Sequence, residues 1–235
     1  MFLAAALALV TSAPDTLQVL DVVPGSGSIK IEKGDVVTFG YRGWLYSSGS
    51  EFDSTKAKAP ASILIGENPV PRAWHEGLVG AQLGTRRVII APPSFAFGDA
   101  STATIPTKST LGYEIDILRI DKKDSTPAVE IMEVAPGKGE PVASGDEVSI
   151  HYTGTFLNGV KFDSSRDRST PFKFQTGAGR VIKGFDIGVA GMRPGEKRKV
   201  TIPYTQAYGP TGAGGVIPPY ATLIFHLELL EVKKL

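Results

Sequence analysis

Apolar and polar positions alternate over several short stretches of this chain, separated by glycine and proline. In Asp146–Thr153 the alternation sets Val148, Ile150 and Tyr152 on one face, the pattern of a half-buried β-strand. Lys197–Ile202 reads likewise, with Val200 and Ile202 inward, and Thr222–Leu230 gives a further strand. The helical candidate in this half is short: Lys183–Ala190, where Phe185 and Val189 stand four apart on one face. Its counterpart earlier in the chain is Ala73–Val79. A single helix of this length is not stable alone and must pack on the sheet. The 27 glycines and 17 prolines supply the punctuation between strands. The predicted architecture is antiparallel α+β.

The same pattern occurs twice. Tyr41-Arg42-Gly43 aligns with Tyr152-Thr153-Gly154, and the same offset within about a residue pairs other features. Gly34-Asp35 meets Gly145-Asp146, Phe52-Asp53-Ser54 meets Phe162-Asp163-Ser164, and Gly77 meets Gly188. Phe97-Gly98 meets Tyr208-Gly209, and Ile105-Pro106 meets Ile217-Pro218. A period this long marks a duplicated domain. The polar stretch 122–127, ending in Pro127, reads as the linker between copies spanning 16–121 and 128–235.

Composition narrows the function classes. With 25 basic and 24 acidic residues the net charge is +1. Divided after Ser125, the chain has 12 basic against 13 acidic residues, then 13 against 11. Neither half has the basic excess of a nucleic-acid binder. The absence of cysteine excludes disulfides, zinc–thiolate sites and thiol nucleophiles, and three histidines show no metal-binding spacing. The apolar stretch 1–13 is too short to span a membrane and reads as a signal peptide, which implies the secretory pathway or ER lumen; a cytoplasmic location is the alternative.

No phosphate-binding loop, dinucleotide loop or Gly-x-Ser-x-Gly elbow is present, and Gly209–Gly215 reads as a loop. What stands out is aromatic density beside a carboxylate in the second copy: Tyr152, Phe162-Asp163, Phe172, Phe185, Tyr208 and Phe225. Phe174 is read as an ordinary core residue facing the other side of its strand from Phe172. Asp163, with Arg166 and Arg168 nearby, fits either a functional carboxylate or a turn cap.

The runs His151–Gly154, Lys161–Arg168, Pro171–Phe174, Val181–Gly184, Ala207–Gly209 and Val216–Leu223 resemble the FKBP-type peptidyl-prolyl cis-trans isomerases, the macrolide-binding immunophilins. The resemblance covers essentially the whole second copy and, more faintly, the first. It implies two tandem domains, each a curved antiparallel sheet wrapped on a short helix. It also implies a pocket lined by Tyr152, Phe162, Asp163, Phe172, Val181, Ile182, Phe185, Tyr208, Ile217 and Phe225. Phe185 would form the floor, and Asp163 would pair with Arg168 and Tyr152. The Tyr208 hydroxyl and the Ile182 N–H would donate to substrate carbonyls. Catalysis would fall to Asp163, Tyr208, Phe162 and Ile182. The expected activity is isomerisation of Xaa-Pro bonds in polypeptide clients, assisting folding, without metal or cofactor. Macrolides of the tacrolimus/rapamycin type are the expected small ligands, and a monomer is the expected state. The alternative is a proline-peptide-binding or chaperone/scaffold module without turnover.

The second copy departs mildly from the family pattern: Phe185 stands where many members carry Trp, Arg180 where Glu is common, and Ala213 where His is frequent. The first copy keeps Tyr41, Phe52, Asp53, Val70 and Trp74. It has Pro71 in place of Ile182, Phe97 in place of Tyr208 and Ala61 in place of Phe172. Proline has no N–H to donate and Phe97 has no hydroxyl. The first copy is therefore expected to be degenerate and catalytically feeble.

Overall fold

The computed structural model describes residues 13–67 and 69–234. Residues 1–12, which make up nearly all of the expected signal peptide, lie outside the described residues. The chain forms two compact units; the main changeover falls at Lys123/Asp124, and the short stretch Ala59–Ile63 clusters with the second unit, although β-pairing ties Ala61–Leu64 to the first sheet.

In the first domain the strands are β1 (Gln18–Val23), β2 (Ser26–Lys30), β3 (Val36–Leu45), β4 (Glu51–Ser54) and β5 (Ala61–Leu64). Helix α1 (Arg72–Leu78) follows, then β6 (Gln82–Leu83), β7 (Arg86–Ala91) and β8 (Leu111–Asp121). The main sheet has the order β1-β7-β8-β3-β4, each neighbouring pair antiparallel, with β5 also on β3.

The second domain repeats the plan with β9 (Glu130–Ala135), β10 (Glu147–Phe156), β11 (Lys161–Ser164), β12 (Phe172–Gln175), α2 (Lys183–Val189), β13 (Lys197–Ile202) and β14 (Leu223–Lys233). Its sheet runs β11-β10-β14-β13-β9, with β12 also on β10, and every pair is antiparallel. On β10, Val148, Ile150 and Tyr152 all face the core, as their alternation predicts. On β14 the alternating Leu223, Phe225, Leu227 and Leu229 complete that face. Both central strands run about three residues past their predicted ends.

Each helix lies tightly on its sheet because glycine lets it. A Cβ on Gly188 would come within 2.9 Å of Val200, and one on Gly77 within 2.6 Å of Ile89. The last carbonyls of a helix have no intrahelical partner. In α2 the Arg198 guanidinium supplies donors: Nη1 reaches Gly188 O at 2.9 Å and Ala190 O at 2.8 Å, while Nε bonds Glu196 at 2.5 Å. Arg87 repeats the device at α1, donating to Gly77 O at 2.8 Å and Val79 O at 3.0 Å, and to both Asp21 oxygens. The cation also opposes the negative end of the helix dipole.

Candidate active site

The second-domain site is built where α2 packs on the core face of the sheet formed by β10, β13 and β14. Phe185 is only 4% exposed and takes edge-on contacts from Phe225 at 5.1 Å, Tyr152 at 5.9 Å and Phe172 at 6.4 Å between ring centres. Phe162 closes the far side, 5.6 Å from Phe225 at 87°. These separations and angles suit the ring quadrupoles, which disfavour face-to-face stacking. Room for Phe162 depends on Gly154, where a Cβ would lie 2.5 Å from the ring. Ile217 is buried in the same core, and Val181 and Ile182 pack against it.

Phe174 does not face away from Phe172. Residues two apart on a strand share a face, and the two rings stack at 5.4 Å and 21°, with Phe174 also 5.8 Å from Phe185. The expectation miscounted the strand period. Phe174 buttresses the wall and floor from behind.

At the rim, the Tyr152 hydroxyl donates to Asp163 Oδ2. Arg168 donates to Asp163 Oδ1 at 2.6 Å and to the Tyr152 oxygen at 2.9 Å. Burial pushes the Asp163 carboxyl up, but the hydrogen bonds from Arg168 and Tyr152 outweigh this and hold it below its ordinary value. The Tyr152 phenol is raised by burial and by its bond to Asp163. The three groups thus form a closed, net-neutral unit that fixes the Tyr152 ring.

Two donors face no protein acceptor among the described residues. Ile182 caps α2 with φ −60° and ψ 146°; its carbonyl accepts from Phe185 N at 2.9 Å, while its own N–H has no recorded partner. Tyr208, 41% exposed, follows the 3-10 turn Tyr204–Gln206, and its hydroxyl has no partner among the described residues. Its loop is pinned by Gly209 N to Tyr204 O at 2.9 Å and Tyr220 N to Gly209 O at 3.1 Å. Tyr208 makes no ring contact with the cage, so it stands apart from the other aromatics.

In the first domain Tyr41, Phe52 and Trp74 again come together: Trp74 lies 4.9 Å from Tyr41 and 5.6 Å from Tyr113, and Phe52 lies 6.0 Å from Tyr113. The Tyr41 hydroxyl donates to Asp53, and Lys58 replaces the arginine of the second copy as the cation on that carboxylate. Val70 is half-buried and Phe97 is 38% exposed. Three residues here were not expected from the sequence. Lys58 stands five residues after Asp53, as Arg168 does after Asp163. Tyr113 and Phe39 stand where the second copy has Phe225 and Ile150, and extending the repeat alignment would have found both. Tyr113 Oη and Trp74 Nε1 are buried without a hydrogen-bond partner.

A family model described as FKBP-type peptidyl-prolyl cis-trans isomerase matches the chain twice, over residues 27–118 and 138–230. The chain belongs to the FKBP-type peptidyl-prolyl cis-trans isomerase family. It is 35% identical over 212 residues to human peptidyl-prolyl cis-trans isomerase FKBP10, covering 89% of this chain and 36% of that protein. Rat peptidyl-prolyl cis-trans isomerase FKBP9 is 35% identical over 214 residues, 89% of this chain and 37% of that protein. The FK506-binding protein of Neisseria meningitidis serogroup A is 54% identical over 102 residues, 43% of this chain and 94% of that protein. The chain thus spans about a third of the length of the first two relatives. Among the described residues, no helix is long and apolar enough to cross a membrane, and no cluster of His, Asp or Glu is arranged to hold a metal ion.

Proposed function

We propose that the second domain isomerises Xaa-Pro bonds in polypeptides, and that the first domain binds such segments with little turnover. The observation that carries this reading is the pair of donors without a protein partner among the described residues, Ile182 N–H at the start of α2 and Tyr208 OH in the loop after the Tyr204–Gln206 turn; Pro71 and Phe97 remove both from the first domain.

The chemistry needs no nucleophile. Rotation about the imide bond loses amide resonance, which sets a barrier of ~18–20 kcal/mol. The twisted amide has less charge separation, so a dry aromatic cage penalises it less than it penalises the planar one. Phe162, Phe185 and Phe225 hold the proline ring, and Tyr152, fixed by Asp163 and Arg168, shapes the wall beside it. Ile182 N–H and Tyr208 OH hold flanking carbonyls in the twisted geometry. Acceleration is differential binding of the distorted state. Macrolides of the tacrolimus/rapamycin type, whose rings and carbonyls suit the same groups, are proposed as ligands. The chain is proposed to act as a monomer, and its N-terminal apolar segment to direct it into the secretory pathway.

A protease-coupled assay on an Ala-Leu-Pro-Phe peptide tests the reading. The full chain should shorten the tens-of-seconds uncatalysed phase, and Asp163→Ala or Phe162→Tyr should lower the rate with the fold retained. No acceleration by the wild-type chain would leave only the alternative, a proline-peptide-binding or chaperone module.

A further inference from the structure

Resting on the isomerase reading of the second domain, we infer that Arg180 and Lys183 make its pocket select proline segments flanked by acidic residues. These two residues bracket Val181 and Ile182, so they stand on either side of the backbone donor argued to hold the substrate. Both are exposed, and neither has an ion-pair or hydrogen-bond partner among the described residues.

Most of the other charges in this part of the domain are already ion-paired. Asp163 is held by Arg168 at 2.6 Å, Asp167 by Lys161 at 2.7 Å, and Glu228 by Arg166 and by Lys197 at 3.3 Å. Asp186, one turn along α2 from Lys183, accepts the Gly177 N–H at 3.1 Å. The segment that carries Tyr208, Ile217 and Phe225 has no charged residue anywhere from Val200 to Phe225. The rim therefore presents two unpaired cations against one carboxylate without an ion pair, Asp186, whose Oδ1 is turned to the Gly177 N–H. An arriving Asp or Glu meets attraction from both cations, and a Lys meets repulsion.

The first domain lacks this arrangement. Pro69 occupies the position of Arg180, and Arg72, the counterpart of Lys183, is tied to Glu76 at 2.5 Å and lies 4.3 Å over the Phe95 ring. The selectivity belongs to the second domain.

The test uses the full chain and N-acetyl peptides Ala-Xaa-Pro-Phe-4-nitroanilide, uncharged apart from Xaa, with Xaa as Leu, Glu, Gln or Lys. The Leu peptide reads the isomerase activity itself; the Glu:Lys ratio of kcat/KM reads the charge selectivity. With two cations in a solvent-exposed setting, the ratio should be about tenfold at low ionic strength and fall towards one above about 0.5 M salt. Arg180→Glu should pull the ratio to one or below, and Arg180→Gln should land between that and wild type. A wild-type ratio near one, or a ratio that neither variant nor salt moves, overturns the inference while leaving the Leu activity standing. Loss of the Leu activity in the wild-type chain would instead strike the isomerase reading on which it rests.

Discussion

Pro71 and Ile182 cap their helices with nearly the same backbone angles, φ −50° and ψ 135° against φ −60° and ψ 146°. The duplication has kept the turn and removed the donor, since proline fits that φ but has no N–H. Residues at the helix start tolerate this exchange because the first N–H groups of a helix have no intrahelical partner to lose. A local substitution can thus leave the fold intact while taking away a group that a bound carbonyl would use.

Restoring the donors should restore turnover. In a chain silenced in the second domain by Asp163→Ala and Phe162→Tyr, adding Pro71→Ile, Phe97→Tyr and Ala61→Phe should raise the residual rate on the Ala-Leu-Pro-Phe peptide by about tenfold or more. Two recovered hydrogen bonds at about 0.5–1.5 kcal/mol each account for that size. An unchanged rate would mean that the donors are not what separates the two domains.

Tyr208→Phe isolates one of those donors in the second domain. The side chain is 41% exposed and its hydroxyl has no hydrogen-bond partner among the described residues, so the fold should not notice its loss. Affinity for a tacrolimus-type macrolide should fall by about three- to tenfold, the share of one neutral hydrogen bond. Titration calorimetry on the two proteins measures it, and equal affinities would remove the hydroxyl from the site.

The rim triad sets a pH dependence. Asp163 has its carboxyl lowered in the folded state, so its contribution to stability is fully present above the unfolded value of about 3.9 and is lost as pH falls through the folded value. Tyr152 is raised, so its contribution is present below about pH 10 and is lost as pH rises through the folded value. Between about pH 5 and 9 neither group changes state, and kcat/KM should be flat. A bell centred near neutrality would show a titrating group that this mechanism does not contain.

Much of this was legible because antiparallel strands advertise themselves. The alternation in Asp146–Thr153 and Lys197–Ile202 located β10 and β13, and Phe185 with Val189 located α2. The repeat offset carried the second-domain aromatics onto the first and exposed Pro71 and Phe97 as the departures. What escaped were residues whose roles depend on how neighbouring elements pack. Arg198 and Arg87 sit in strands with no pattern that marks a capping role, yet each donates to carbonyls at the end of the helix eight to ten residues earlier. Lys58 replaces the arginine of the second copy, so a comparison by residue identity passes over it. Phe174 was misplaced because the period of two was applied with the wrong parity.

Tyr113 should weaken the domain it sits in. Its ring is 1% exposed, its hydroxyl has no partner, and burial raises its pKa. A buried unpaired hydroxyl costs about 1–3 kcal/mol, whereas the phenylalanine of the same shape carries no such penalty. Tyr113→Phe should therefore stabilise the first domain by about 1 kcal/mol. Both tryptophans of the chain, Trp44 and Trp74, lie in that domain, and Trp74 is 5.6 Å from Tyr113. Tryptophan fluorescence in a urea titration follows this unit, and a lower midpoint would mean that the hydroxyl is satisfied in solution.

Arg198→Ala tests the opposite sign in the second domain. Removing the guanidinium strands the Gly188 and Ala190 carbonyls and leaves Glu196, 3% exposed, with only the Arg193 N–H at 2.8 Å as a donor among the described residues. Uncompensated burial of that carboxylate is the larger part of the loss, and together the changes should destabilise the domain by about 3 kcal/mol. Arg198→Ala with Glu196→Gln should recover part of it, because the neutral amide needs less solvation. Since fluorescence reports the other unit, amide exchange over Lys183–Val189 and Lys197–Ile202 is the suitable readout. Faster exchange there in the single variant, partly reversed in the double, would establish the arginine as the clasp of α2. If the double variant is no more protected than the single, the carboxylate is not the source of the loss, and the two helix carbonyls must account for it alone.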